Sequence, residues 1–258
     1  MSFDANLTAC AALVEQADPD RFLAAMAAPV AARRVLFPLY ALNVEVSRAP
    51  WVTQEPMIVE MRLQWWRDAL EEIAEGKTVR RHQVVTPLAK VLSPELAAYL
   101  DQYVSVRRWD IYKDPFEDES HLTTYLDHSA GALMVAAAQS LGPADADALR
   151  DYGYAVGVAN WLVAVPELEA RGRIPLLDGT MAGVRKLAES GLERLFKARQ
   201  NRSTISTEAR AALLAGWQAE ALLKQAVARP ERVADGALGQ SEFRKRTGLM
   251  WQAATGRW

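Results

Sequence analysis

The chain has 258 residues, with 30 Lys and Arg against 32 Asp and Glu, and a formal net charge of −2. Half of it is hydrophobic and 24% is charged, which is the make-up of a chain that folds around a core and not of a disordered one. The charge balance offers no general surface for a polyanion, so nucleic acid is not an expected partner; one cysteine, Cys10, and the three histidines His82, His121 and His128 leave no internal disulfide, no multi-thiolate site and no His-rich metal centre.

The opening Met1-Ser2-Phe3-Asp4 has no basic n-region of the kind a secretory signal carries. The uncharged stretch from Tyr152 to Pro166 is 15 residues long, and a membrane-spanning helix needs about 20. The chain is therefore read as cytoplasmic, with peripheral contact at the inner face of a membrane as the most membrane association expected.

Apolar residues recur at three and four along most of the sequence, as in Ile58, Met61, Trp65, Ala69 and Ile73, the pattern of an amphipathic helix. The spacing predicts helices over 3–16, 19–27, 30–49, 57–75, 86–91, 94–113, 118–140, 144–165, 180–199, 207–227 and 240–252. Asp18-Pro19 and Ser93-Pro94 read as N-caps followed by proline in the first turn. Thr86-Pro87 and Gly142-Pro143 punctuate other boundaries. No Gly/Ser-rich linker, composition shift or 20–50-residue repeat divides the chain, so one all-α domain over 1–258 is expected.

Three segments carry candidate chemistry. Asp110 and Asp114 stand four apart, and on a helix they would share a face. Two carboxylates so placed can share a Mg²⁺, which takes oxygen ligands; the other reading is a solvated acidic face beside Arg107, Arg108 and Lys113. Gly153, Gly157, Asn160 and Ala164 form a narrow stripe of small residues. Each helical glycine costs roughly 1 kcal/mol relative to alanine, so either a second helix packs very close or the stripe lines a cavity. In the segment Phe37 to Trp51, Tyr40, Val44, Ser47 and Trp51 share one face by the same spacing, and none of them is acidic. The Trp65-Trp66 pair reads as packing for one helix. Towards the end, Phe243-Arg-Lys-Arg246, Leu249, Met250, Trp251 and Arg257-Trp258 mix bases with large apolar groups; such a segment either packs its Phe and Trp on the core or lies on an anionic membrane surface or a partner.

Taken together, the residues from about Asp20 to Leu177 resemble the squalene/phytoene synthases. The resemblance rests on Asp20-Arg21-Phe22, on Arg33, Leu36 and Leu39-Tyr-Ala-Leu42, and on the block Arg62-Leu-Gln-Trp-Trp-Arg-Asp-Ala-Leu70. It continues in Tyr125, Ala130 and Gly131, in Asp151-Tyr-Gly153 through Asn160-Trp-Leu162, and in Gly172-Arg-Ile-Pro-Leu176, a strand-like piece in that family. It implies the all-α isoprenoid-synthase fold, a helical bundle around a central cavity. It also implies two Asp-rich motifs whose carboxylates hold Mg²⁺ and, through it, the substrate diphosphates.

Those motifs depart from the family's pattern. The first would fall at Ser47, Arg48 and Trp51, with Val44 in place of the preceding Arg. The second would fall at Ala164 and Leu168, with Val163 in place of its Arg and Glu167 one position off. Asp114 matches an acidic position of the middle helix. Removing one charge-stabilising contact commonly costs about 3–4 kcal/mol of transition-state stabilisation, so the loss of both clamps implies the loss of turnover. Arg48 is a thin replacement for a metal. With Ala41-Leu-Asn-Val-Glu-Val-Ser47, the chain is similar to a divergent branch of the family that includes a respiratory complex I assembly factor.

The resemblance therefore implies a protein without catalytic residues or cofactor that acts by binding a respiratory-complex subunit or assembly partner, an isoprenoid or lipid, or both. Its largely apolar cavity would be lined by Tyr40, Val44, Ser47, Trp51, Asp114, Gly131, Gly153, Gly157, Asn160 and Ala164. The alternative is a Mg²⁺-dependent prenyl transferase of isoprenyl diphosphates, with Asp110, Asp114, Glu167 and Asp127 forming an altered metal site.

Overall fold

The computed structural model describes residues 5–53 and 55–258. Phe3 and Asp4, the expected start of the first helix, lie outside them. Among the described residues fifteen α-helices follow one another: α1 Ala5–Ala17, α2 Pro19–Ala27, α3 Val30–Arg48, α4 Pro56–Ala74, α5 Val85–Leu88, α6 Pro94–Tyr99, α7 Asp101–Val106, α8 Glu119–Leu126, α9 Ala132–Gln139, α10 Ala146–Ala170, α11 Met181–Gln200, α12 Arg210–Leu213, α13 Ala219–Ala228, α14 Glu231–Ala234 and α15 Glu242–Thr255. Among the described residues the only β pairing is one bridge between Ala144 and Ile205. The segment 173–176, expected to be strand-like, is irregular.

The helix starts follow their capping residues. Asp18 accepts from Arg21 N at 3.0 Å with Pro19 in the first turn, and Ser93 accepts from Leu96 N at 3.3 Å ahead of Pro94. Asp118, Asp145, Thr180 and Ser241 do the same for α8, α10, α11 and α15. Each such side chain satisfies one N–H that the helix cannot.

Three expected helices are interrupted. The helix over 94–113 is α6, α7 and a 3₁₀ turn over Arg107–Asp110, and it stops there. The Arg173 side chain donates to the carbonyls of Asp110 and Tyr112, the acceptors that two further helical bonds would have used, and Pro115 disfavours a helical Asp114 before it. The helix over 118–140 contains one π turn, Asp127–Gly131. There Ser129 Oγ donates to Tyr125 O at 2.5 Å, taking the carbonyl of the residue four back. The helix over 207–227 is α12 and α13 around a 3₁₀ turn, Leu214–Gly216. Conversely, α10 runs past Pro166 to Ala170, losing one backbone donor inside the helix.

Helix α10 is the axis of the molecule. Leu149, Tyr152, Tyr154, Val156, Val158, Trp161, Leu162 and Val165 point in all directions from it and are all buried, as expected for a helix covered on every side. It packs against α9, α11, α13 and the π turn. Its glycines permit this. A Cβ on Gly153 would lie 2.7 Å from Gly131 Cα and 2.9 Å from Ala130 O, and one on Gly157 would lie 2.9 Å from Ala130 Cβ. The small-residue stripe is thus, in its first half, a close helix contact.

Candidate functional site

A cavity of about 620 Å³ opens between the start of α2, the end of α3, the 3₁₀ turn at Arg107–Asp110, the second half of α10 and the 214–219 segment. Leu126, Leu133 and Val156 are among its apolar lining. Its walls are not largely apolar, as the sequence led us to expect. Seven charged residues line it: Asp18, Asp20, Arg21, Arg107, Asp110, Glu167 and Arg171.

Ser47, Trp51, Gly157, Asn160 and Ala164 line this cavity. The other expected lining residues do not. Tyr40 is buried one layer behind it, under the guanidinium of Arg21 (5.3 Å from the ring centre), with its hydroxyl on Ala212 O at 3.5 Å. Burial holds the Tyr40 phenol well above the usual tyrosine range. Val44 is buried and does not line the cavity. Gly131 and Gly153 are sealed against each other. Asp114 is exposed in the irregular segment after the 3₁₀ turn.

Asp110 and Asp114 consequently share no helix face. Asp110 is buried at the end of the 3₁₀ turn. Tyr125 Oη donates to Asp110 Oδ1 at 2.9 Å, Arg107 Nη1 donates to Tyr125 Oη at 2.9 Å, and Arg107 stands 3.3 Å from Asp110 Oδ2. Burial drives the Tyr125 phenol far above its ordinary range, with Arg107 opposing. Burial also opposes the charge on Arg107, but Tyr125, Tyr103 and Asp110 more than offset it and hold the guanidinium above its usual value. Rings close this corner: Trp109 stacks on Phe116 with centres 4.1 Å apart, and Tyr125 and Trp161 pack edge-on, 5.2 Å apart.

The other acidic groups are engaged as well. Asp18 pairs with Arg21 at 2.9 Å, Asp20 accepts from Gln218 at 2.7 Å, and Glu167 pairs with Arg171 at 2.7 Å. Asp127 lies outside the cavity and faces Arg194 at 3.2 Å; burial raises its carboxyl pKa while Arg194 opposes. The four carboxylates of the alternative metal site are therefore dispersed. Among the described residues no group of three or more His, Cys, Asp or Glu converges on a metal-sized space. Arg48 does not reach the cavity; it pairs with the buried Glu45 at 2.6 Å.

Trp51, in the 3₁₀ turn Ala49–Trp51 that follows α3, meets two arginines that follow α10. Arg171 lies 4.5 Å and Arg173 4.8 Å from the Trp51 ring centre. Beside them Asn43 accepts from Tyr103 Oη at 2.9 Å and from Ser47 Oγ at 3.5 Å. Residue spacing alone did not reveal Arg171, Arg107 or Gln218 as lining residues, because each is brought in by packing. Arg173 stood within the quoted Gly172–Leu176 segment, yet its partners are more than 60 residues away.

This architecture, helices enclosing a cavity at the facing ends of α3 and α10, is that of an isoprenoid synthase. Residues 14–238 match the family model for squalene/phytoene synthase, and the chain belongs to that family. Two solved structures share the fold: a dehydrosqualene synthase in complex with ligand, with a TM-score of 0.77, 19% identity and coverage of 97% of this chain and 96% of that one; and squalene synthase HpnC from Alicyclobacillus acidocaldarius, with a TM-score of 0.71, 18% identity and coverage of 88% and 94%. Among curated proteins the chain is 29% identical over 177 residues to the Drosophila melanogaster NADH dehydrogenase (ubiquinone) complex I, assembly factor 6 homolog, covering 65% of this chain and 53% of that protein. It is 24% identical over 169 residues to the Homo sapiens complex I assembly factor 6, covering 64% and 51%. The chain thus spans about half the length of these relatives.

Proposed function

We propose that this chain keeps the helical shell of its family as a binding protein and does not turn over isoprenyl diphosphates. One observation carries the reading. Where the family would set carboxylates across the cavity, Ser47 and Trp51 face Ala164 and Leu168, and Trp51 is instead held by Arg171 and Arg173. The residues present do not fit a Mg²⁺ clamp. Mg²⁺ demands near-octahedral oxygen ligands and is usually held through carboxylates, and the cavity's carboxylates are already matched by Arg21, Gln218, Tyr125, Arg107 and Arg171.

The cavity suits an occupant with an apolar body and a polar head. Its lining mixes apolar side chains with charged ones, and its volume lies within the roughly 300–1,000 Å³ of small-molecule sites. An isoprenoid or lipid has that form. The likeness to complex I assembly factor 6 supports a role in respiratory-complex assembly, with the loaded protein engaging a subunit or assembly partner.

Extraction and mass spectrometry of the purified protein test the cavity reading. Wild type is expected to carry an apolar lipid that Ala164→Trp, which fills the cavity from its rim, releases; equal lipid in both overturns it. A pull-down in gentle detergent that recovers no respiratory subunit counts against the assembly role.

A further inference from the structure

Helix α15 presents an apolar face to nothing in the molecule. Phe243, Met250 and Trp251 are 77%, 70% and 61% exposed. At one residue per 100° they fall with Thr247 and Ala254 on one outward stripe. The sequence left open whether this Phe and Trp pack on the core. Phe243 and Trp251 do not; Leu249 and Trp258 do.

The helix is held firmly from behind. Lys245 reaches Asp20 at 3.7 Å, Gln252 donates to Trp217 O at 3.0 Å, Arg199 donates to Trp258 O at 2.7 Å, and Arg202 donates to Gly256 O at 2.5 Å. The stripe is therefore a fixed surface. Arg246 borders it on one edge and Arg244 on the other, both exposed. From Glu242 to Trp258 the chain has four basic side chains and one acidic; Lys245 is turned to Asp20 and Glu242, Arg246 lies 4.0 Å from Glu242 at the surface, and Arg244 and Arg257 are exposed.

We propose that this face of α15 docks on an anionic lipid bilayer, with Phe243, Met250 and Trp251 entering the interface and Arg244, Arg246 and Arg257 meeting the headgroups. An apolar stripe with Trp and Phe, edged by arginines, is the form of a helix that lies in the membrane plane, and aromatic rings favour the headgroup level. The charge complementarity selects an anionic surface. No described helix is long and apolar enough to cross a membrane, so this contact is peripheral. Asp20 and Trp217 belong to both the cavity wall and the seat of α15, so the helix itself lies beside the cavity. The proposal rests on α15 alone and stands or falls separately from the cavity's occupant.

The test is co-sedimentation of the full chain with vesicles of phosphatidylcholine alone or mixed with phosphatidylglycerol. Binding to the mixed vesicles is expected, at least roughly tenfold weaker on phosphatidylcholine alone and weakened by salt. The double variant Phe243→Glu with Trp251→Glu, checked for an unchanged melt, should lose binding by a similar factor. Brominated lipid should quench tryptophan fluorescence in wild type, and less in a Trp251→Phe variant that still binds. No binding to anionic vesicles, or equal binding by the folded double variant, overturns the proposal. So does a dimer in solution that the double variant splits, since the occupant would then be a second copy.

Discussion

The Arg173 guanidinium lies 4.8 Å from the centre of the Trp51 ring while its Nη1 donates to the carbonyl of Tyr112 at 2.9 Å. One side chain therefore ties the 3₁₀ turn Ala49–Trp51, which follows α3, to the segment that follows the 3₁₀ turn at Arg107–Asp110. A cation over an indole contributes about 0.5–1 kcal/mol when exposed and about 2 when desolvated. Trp51 meets two such cations and is 40% exposed. Trp51→Ala should cost about 1–2 kcal/mol in urea unfolding, and Trp51→Phe less than half of that.

The contact between α10 and the π turn gives a second prediction. Gly153→Ala places a Cβ against Gly131 Cα and Ala130 O, both backbone atoms that cannot step aside. Overpacking of this kind costs about 1–3 kcal/mol. Gly248, within α15, has open space around it, so Gly248→Ala should stabilise by about 0.5–1 kcal/mol. Denaturation midpoints of the two variants should move in opposite directions.

Tyr125 is the donor that satisfies buried Asp110. Tyr125→Phe removes the hydroxyl that bridges Arg107 and Asp110 and leaves both partly unmatched. The loss should be about 1–3 kcal/mol, with little change in the helical circular dichroism of the folded state.

His82 makes the stability pH-dependent. It packs against Trp65 and Trp66, and its Nδ1 accepts from Val84 N at 3.2 Å. Burial lowers its pKa below the usual 6.5, with Glu45 opposing, and protonation removes the Nδ1 acceptor. The unfolded chain therefore binds this proton more readily than the folded one, and its contribution is complete above pH 6.5 and lost as pH falls below that value. His82→Asn keeps an acceptor near the Nδ1 position without the titration. Between pH 7.5 and 5.5 its melting temperature should fall less than that of wild type.

Much of the fold was legible because local signals and the fold agree there. Asp18-Pro19 and Ser93-Pro94 carry the capping chemistry of helix starts, and the three-and-four spacing around Ile58 to Ile73 presents one apolar face for the core to cover. The interruptions were not legible. The helix through Asp110 stops because Arg173, 63 residues later, takes its carbonyl, and nothing within 94–113 encodes that. The site was legible in part for the same reason. Ser47, Asn160 and Ala164 follow from their places on α3 and α10, and Trp51 from the 3₁₀ turn that continues α3. The charged character of the cavity comes from residues such as Asp20, Arg107 and Gln218, which only tertiary packing brings together. Gly131 and Gly153 illustrate the ambiguity of small residues, which suit a tight contact and a cavity wall equally well until the neighbouring helix is seen.

The central claim is that the cavity binds without prenyl-transfer chemistry. Its most direct test is pyrophosphate release from farnesyl and geranylgeranyl diphosphate, with Mg²⁺, by purified protein whose fold has been verified by circular dichroism. The account predicts release no greater than from a heat-killed control. Release well above that control would contradict it.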